Sequence, residues 1–241
     1  VRPALFVSDL HLSPERPAIV ERFFRFLREE GRAAAALYIL GDLLEHWIGD
    51  DDADQLFNRD LFAHVADLAR GGVEVFLMHG NRDFLLSAGV ASRAGITLIP
   101  DAVERDLFGV RTLLMHGDTL CTDDRRYQRY RSWVRRPGLV RAFLALPRSV
   151  REAIGGGLKR VSAGEKRLKA PAIMDVNEGA VETVLRARGY PRLIHGHTHR
   201  PARHVHVVDG RTCERWVLAD WYERGSYLRC DAQGCTAIPL N

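Results

Sequence analysis

Five short polar clusters carry the residue types that hold divalent cations. They are Asp9-Leu10-His11, Gly41-Asp42, Gly80-Asn81-Arg82-Asp83, His116-Gly117-Asp118 and His195-Gly196-His197-Thr198-His199. Their donors are carboxylate, imidazole and amide, with no thiolate. That set suits Mn²⁺, Fe²⁺ or Zn²⁺ and argues against a structural zinc site. The donors outnumber the four positions of one tetrahedral ion. They suit two ions sharing a carboxylate, spaced roughly 3.5–4 Å apart as in two-metal hydrolytic sites. A DxH or a GD alone arises by chance, and a lone strand histidine is more often a core residue. The ordered set of five is what carries the reading.

The elements that must deliver these clusters are short and apolar. Ala4–Ser8, Ala35–Leu40 and Val73–Met78 read as buried strands, with helical periodicity over Glu15–Glu30 and Ala53–Arg70 between them. This is the βαβ pattern of a parallel sheet. Residues 96–99, 102–108 and 110–115 read as further strands, 175–188 as a helix, and the tail from Leu193 to Leu240 as short strands joined by turns such as Asp209-Gly210. The clusters stand where strands end, and open α/β sheets bind ligands beyond the carboxyl ends of their strands.

Composition narrows the class. The chain has 241 residues, 46% apolar and 27% charged, which is ordinary globular usage. Its longest purely apolar run is eight residues, Ala33 to Leu40, against about 20 for a membrane-spanning helix. No signal-peptide pattern opens the sequence, so the cytoplasm is the default expectation. The four cysteines form no CxxC pair and read as thiols. Cys230 and Cys235 can face each other across a hairpin, but a disulfide is not expected in that compartment.

The net charge of +4 hides an asymmetry. Residues 125–169 hold fourteen basic and two acidic side chains, so the rest of the chain is net acidic. Trp133, Val134, Leu139, Val140, Phe143, Leu144, Leu146, Val150, Ile154 and Leu158 are interleaved with that charge. A basic stretch with an apolar stripe fits an anionic membrane surface, an anionic lipid or a nucleic acid. Pro137, Pro147 and Gly155–Gly157 are expected to break it into short helices.

The ordered set DLH, GD, GNRD, HGD, GHTH resembles the calcineurin-like metallophosphoesterase superfamily. The resemblance implies a four-layer α/β/β/α sandwich, here one domain over 1–241 with a basic, amphipathic helical lid inserted at about 123–170. It implies one ion on Asp9, His11, Asp42 and His199, and a second on Asp42, Asn81, His116 and His197, with Asp42 bridging. His195 has the same spacing but stays outside that set. Longer runs narrow the resemblance: LYILGDLLEHWIGDDD (37–52), HGNRDFLL (79–86), MHGDTLCTDDRRYQ (115–128), IMDVN (173–177) and LIHGHTHRP (193–201). They resemble the family of pyrophosphatases that act on UDP-2,3-diacylglucosamine in lipid A synthesis.

That resemblance implies two Mn²⁺, attack of water on the α-phosphorus, and release of UMP and 2,3-diacylglucosamine 1-phosphate. It implies catalytic roles for Asn81, Arg82, His116 and His197. Substrate contacts are implied at Asn81, Arg82, Asp124, Ser162, Lys169 and His197, with Lys166 standing where a relative has Asn. A monomeric peripheral protein at the cytoplasmic face of the inner membrane is expected, without nucleic acid. A sugar-phosphate leaving group has a second pKa of about 6 and needs little protonation. Arg82 fits this, since it stands where many superfamily phosphatases carry a histidine acid.

Overall fold

A computed structural model describes residues 1–168, 175–223 and 225–240, with side chains left aside over 159–168. Parallel strands β1 (Ala4–Val7), β2 (Ala36–Leu40), β3 (Glu74–Met78) and β4 (Ile96–Ile99) form the centre and one edge of a six-stranded sheet. At its other edge β10 (Ser226–Asp231) pairs antiparallel with β1 and β11 (Gly234–Pro239) follows. A five-stranded sheet has the order β5 (Ala102–Leu107), β6 (Val110–Met115), β7 (Arg192–His195), β9 (Arg211–Val217) and β8 (Ala202–Val208).

Side-chain alternation stacks the layers. In β1 and β2, Leu5, Val7, Leu37 and Ile39 face helices α1 (Pro17–Glu29) and α2 (Leu56–Arg70), against Phe23, Phe26, Leu61 and Val65. The residues between them, Phe6, Tyr38 and Leu40, face the second sheet and meet Leu114 and Ile194. The far side of that sheet, through Leu113 and Leu193, packs on Val181 and Leu185 of α7 (Glu178–Ala187). The result is the expected four-layer α/β/β/α order. Successive strand residues point to opposite faces, so uninterrupted apolar strands signal two covered faces.

Some expectations shift. The helix read from Ala53 starts at Leu56, because Asp50–Asp54 forms a 3₁₀ turn whose Asp52 carboxylate accepts the Ile48 N–H at 2.8 Å. A short helix α3 (Ala88–Arg93), capped by Ser87, was not legible. The basic segment forms α4 (Arg125–Val134), α5 (Pro137–Leu144) and α6 (Arg148–Leu168). Both prolines mark helix starts, but Gly155–Gly157 does not break α6. Glycine costs a helix about 1 kcal/mol and does not forbid it. At Gly155 the missing side chain lets α6 cross His46, whose Cε1 would lie 3.1 Å from a Cβ. Cys230 and Cys235 lie directly opposite in the β10–β11 register and are joined as a disulfide, contrary to expectation. Among the described residues no helix is long and apolar enough to cross a membrane.

Candidate metal centre

The five clusters follow β1, β2, β3, β6 and β7 and meet where the two sheets adjoin. Asp9, His11, Asp42, His197 and His199 all have positive φ, between 49° and 68°. Left-handed backbone costs an L-residue roughly 1–2 kcal/mol, with Asp and His among the more tolerant types. Here hydrogen bonds hold it. Asp9 N–H donates to Gly41 O at 3.1 Å and His11 N–H to Asp42 O at 3.0 Å, lacing the first two clusters together. Gly196 N–H donates to His116 O at 2.8 Å, and His197 N–H donates to Asp9 Oδ2 at 2.7 Å. Glycine is required at the closest approaches. A Cβ on Gly196 would overlap Ser8 Oγ and Asp9 Oδ2, and one on Gly41 would strike the His116 ring.

Three imidazoles present Nε2 to one spot and are braced at Nδ1. Glu45 Oε2 stands 3.0 Å from His11 Nδ1, Asp220 Oδ2 stands 3.4 Å from His199 Nδ1, and His116 Nδ1–H donates to Leu40 O at 2.8 Å. Asp42 Oδ2 lies between two of them, 3.8 Å from His11 Nε2 and 3.9 Å from His116 Nε2. Asp9 Oδ1 lies 3.3 Å from His199 Nε2 and 4.0 Å from His11 Nε2. Asn81 Oδ1 is 3.4 Å from His116 Nε2, and the His197 ring centres 5.0 Å from that of His116. Asp9 Oδ1 and His11 Nε2 are buried and have no hydrogen-bond partner among the described residues. Buried polar atoms left so are costly, and a cation between them satisfies both. The triads Asp9, His11, His199 and Asp9, Asp42, His116 each bring one donor atom per residue within 4.8 Å of the others.

Electrostatics follows this crowding. At Asp9, burial favours the neutral acid, but the His199 contact and the charges on His116 and His199 outweigh it and hold the carboxyl well below its usual range. Burial, with neighbouring carboxylates, pushes Asp42 up to about 6 against the pull of His116 and His11. His116 is driven the other way: burial disfavours its cation, yet Asp42, Asp9 and Asp118 raise it to about 9. Burial lowers His197 to about 3 and His195 to about 4. The two ring nitrogens of His195 face Gly196 O and Arg215, away from the three converging Nε2 atoms.

Around the centre, Asp83 accepts from Leu43 N–H and Gly80 N–H, both at 2.8 Å, and ties the second cluster to the third. Arg82 N–H donates to Asp42 Oδ1 at 2.8 Å, while its side-chain Nε is buried without a partner among the described residues. Arg82 also lies close enough to Tyr130 and Tyr222 for its charge to act on both phenols. Asp124 caps α4 by accepting Tyr127 N–H at 3.1 Å. Ser162 and Lys166 lie on α6 where side chains are not described, and Lys169, with Ile173 and Met174, lies outside the described residues. The runs TLCTDD and IMDVN do meet: Asn177 Nδ2 donates to Asp123 at 3.0 Å, and Asn177 N–H donates to Leu120 O at 2.9 Å.

Several site neighbours escaped sequence reading. Glu45 and Asp220 brace ligand-type histidines. Tyr222 stacks on His11 with ring centres 5.0 Å apart and a 17° interplanar angle. Tyr127 donates to Asp118 Oδ2 at 2.8 Å and stacks beside His197. Glu45 and Tyr127 lie inside the quoted runs 37–52 and 115–128 without a ligand spacing to mark them, and Asp220 and Tyr222 lie outside every run, so the fold brings all four in. Part of the basic segment is also structural: Arg131 pairs with Asp118 and Asp101, Arg148 with Asp52, and Arg151 with Asp51.

Comparison with known proteins agrees with this geometry. The family model for calcineurin-like phosphoesterases matches residues 2–201. A UDP-2,3-diacylglucosamine hydrolase of Aromatoleum aromaticum is 54% identical, covering 96% of this chain and 94% of its own length. Namesakes from Pseudomonas aeruginosa and Neisseria meningitidis are each 46% identical, covering 98% and 100% of this chain and 98% and 99% of their own. With its cation-competent cluster at the strand ends and a family match across most of its length, this chain belongs to the calcineurin-like phosphoesterases.

Proposed function

We propose that this chain hydrolyses the pyrophosphate of UDP-2,3-diacylglucosamine, giving UMP and 2,3-diacylglucosamine 1-phosphate, with two divalent cations, Mn²⁺ in the first place. The observation that carries the reading is the position of Asp42 Oδ2 between His11 Nε2 and His116 Nε2, in a chain 54% identical to a hydrolase of that name. The donor set fits such ions: oxygen and imidazole nitrogen only, with two buried orphan atoms turned inward. Asp9, His11, Asp42 and His199 would hold one ion, and Asp42, Asn81, His116 and His197 the other. Ions held there polarise phosphoryl oxygens and lower the pKa of water.

The chain's own residues do the rest. Glu45, Asp220 and Leu40 O fix the rings so that Nε2 faces inward. Arg82, permanently charged and with an Nε that has no partner among the described residues, is suited to grip the pyrophosphate and stabilise the charge that develops on it. Helices α4–α6 form a lid over the site, bearing exposed Trp133, Leu144, Val150, Ile154 and Leu158 for the acyl chains. The net positive charge of residues 125–169 also suits peripheral attachment of a monomer to an anionic inner-membrane face. The substrate contacts inferred for Asp124, Ser162, Lys166 and Lys169 belong to the same reading.

The test is turnover of UDP-2,3-diacylglucosamine in detergent micelles with added Mn²⁺, beside UDP-N-acetylglucosamine. Release of UMP from the lipid alone is expected, and its loss in Asn81→Ala. Equal cleavage of both nucleotides would overturn the substrate while leaving the phosphoesterase.

A further inference from the structure

Behind the centre a buried cation is paired with imidazoles. Arg215, on β9, is 5% exposed. Its Nη1 lies 3.2 Å from His195 Nε2, and its Nε donates to His206 Nε2 at 3.0 Å. Among the described residues it forms no ion pair with a carboxylate. Guanidinium has donors only. Nε2 of His195 must therefore accept, which leaves the proton of the neutral ring on Nδ1. That N–H is 2.9 Å from Gly196 O, to which Thr198 N–H also donates at 2.9 Å.

This carbonyl lies at the root of the loop carrying His197 and His199, two residues in left-handed conformation. The loop is also anchored by Gly196 N–H to His116 O, His197 N–H to Asp9 Oδ2, the His199–Asp220 contact and the Arg200–Asp175 ion pair. If the His195 ring took the other tautomer, Nε2–H would oppose an arginine donor and a bare Nδ1 would oppose the Gly196 oxygen. Two hydrogen bonds would become two repulsions. The ring is thus set by its partner on the adjacent strand β9, on the same face of the sheet, and the loop is set by the ring.

We propose that Arg215 is a positioning residue: by fixing the Nδ1–H tautomer of His195 it holds the Gly196 carbonyl, and through it the loop that presents His197 and His199 to the ions. This rests on reading those two histidines as ligands. Groups that orient ligands commonly contribute about 10–100-fold in metal affinity. At two removes from the ions, the expected effect of Arg215 is near the lower end.

Long-range ¹H–¹⁵N correlation of ring nitrogens in the metal-free full chain, labelled at histidine, reads the tautomer. Mn²⁺ titration by electron paramagnetic resonance reads affinity. The wild type should show His195 protonated at Nδ1. Arg215→Met should give mixed tautomers and bind Mn²⁺ about tenfold more weakly, with Arg215→Lys recovering much of both. A folded Arg215→Met with the wild-type tautomer and affinity would overturn the proposal. Should Arg215→Met fail to fold, His195→Asn, whose amide N–H stands in place of Nδ1–H, should stay within about threefold of wild type while His195→Leu loses about tenfold. Equal affinities in that pair would overturn it. Asp42→Asn separates the two readings, since it should lose ions yet keep the His195 ring signal.

Discussion

At the residue scale, three imidazoles serve one centre through Nε2 but do not share one kind of brace. Glu45 and Asp220 place carboxylates behind His11 and His199, whereas His116 has a backbone carbonyl. Glu45→Gln or Asp220→Asn is expected to weaken the first ion by about 10–100-fold, read by metal titration with the fold monitored by circular dichroism. Arg82→Lys keeps the charge but loses the planar fork, and kcat should fall by about 10²-fold with bound metal unchanged. Binding should also depend on pH. In the metal-free protein Asp42, Asp9 and Asp118 push His116 up to about 9 despite its burial, so at pH 7 it carries a proton that a cation must displace. Mn²⁺ affinity should therefore rise with pH and level off near pH 9. Calorimetry at pH 7.5 in buffers of different ionisation enthalpy should report proton release. Uptake, or no exchange, would contradict that sign.

At the element scale, the strands and clusters were legible because each cluster follows an apolar run, and alternating burial on two faces leaves such a run unbroken. The helices of the basic segment were legible as helices, but their ends were not all so. Proline at a first helical turn is a local signal, whereas Gly155 is tolerated because α6 crosses His46 closely, a tertiary fact. The same distinction explains the site. Asp9, His11, Asp42 and His116 sit in motifs, while Glu45, Asp220 and Tyr222 arrive on loops and Tyr127 on α4, placements that spacing does not encode. Asn177 joins both kinds: it caps α7, accepting Ala180 N–H at 3.0 Å, and reaches Asp123 at the foot of α4. Asn177→Ala should cost about 1 kcal/mol through the cap, a fall of roughly 2–4 °C in Tm for a chain of this size by calorimetry.

At the scale of the whole molecule, two sheets converge on the candidate metal ligands and a basic, partly apolar set of helices flanks them. Val150, Ile154 and Leu158 stay about 40% exposed on α6 despite being large and apolar. Burying one such side chain against acyl chains is worth about 1.5–3 kcal/mol. The double substitution Ile154→Asp, Leu158→Asp should raise KM for the micellar lipid by at least about tenfold, with metal stoichiometry unchanged. The most direct test of the two-ion pyrophosphatase account is a single turnover of UDP-2,3-diacylglucosamine in H₂¹⁸O, with products analysed by mass. One ¹⁸O is expected in the phosphate of UMP, none in the lipid phosphate, and no turnover after Asp42→Asn. Label in the lipid phosphate, or full turnover without Asp42, would rule out attack at the α-phosphorus by a two-ion centre.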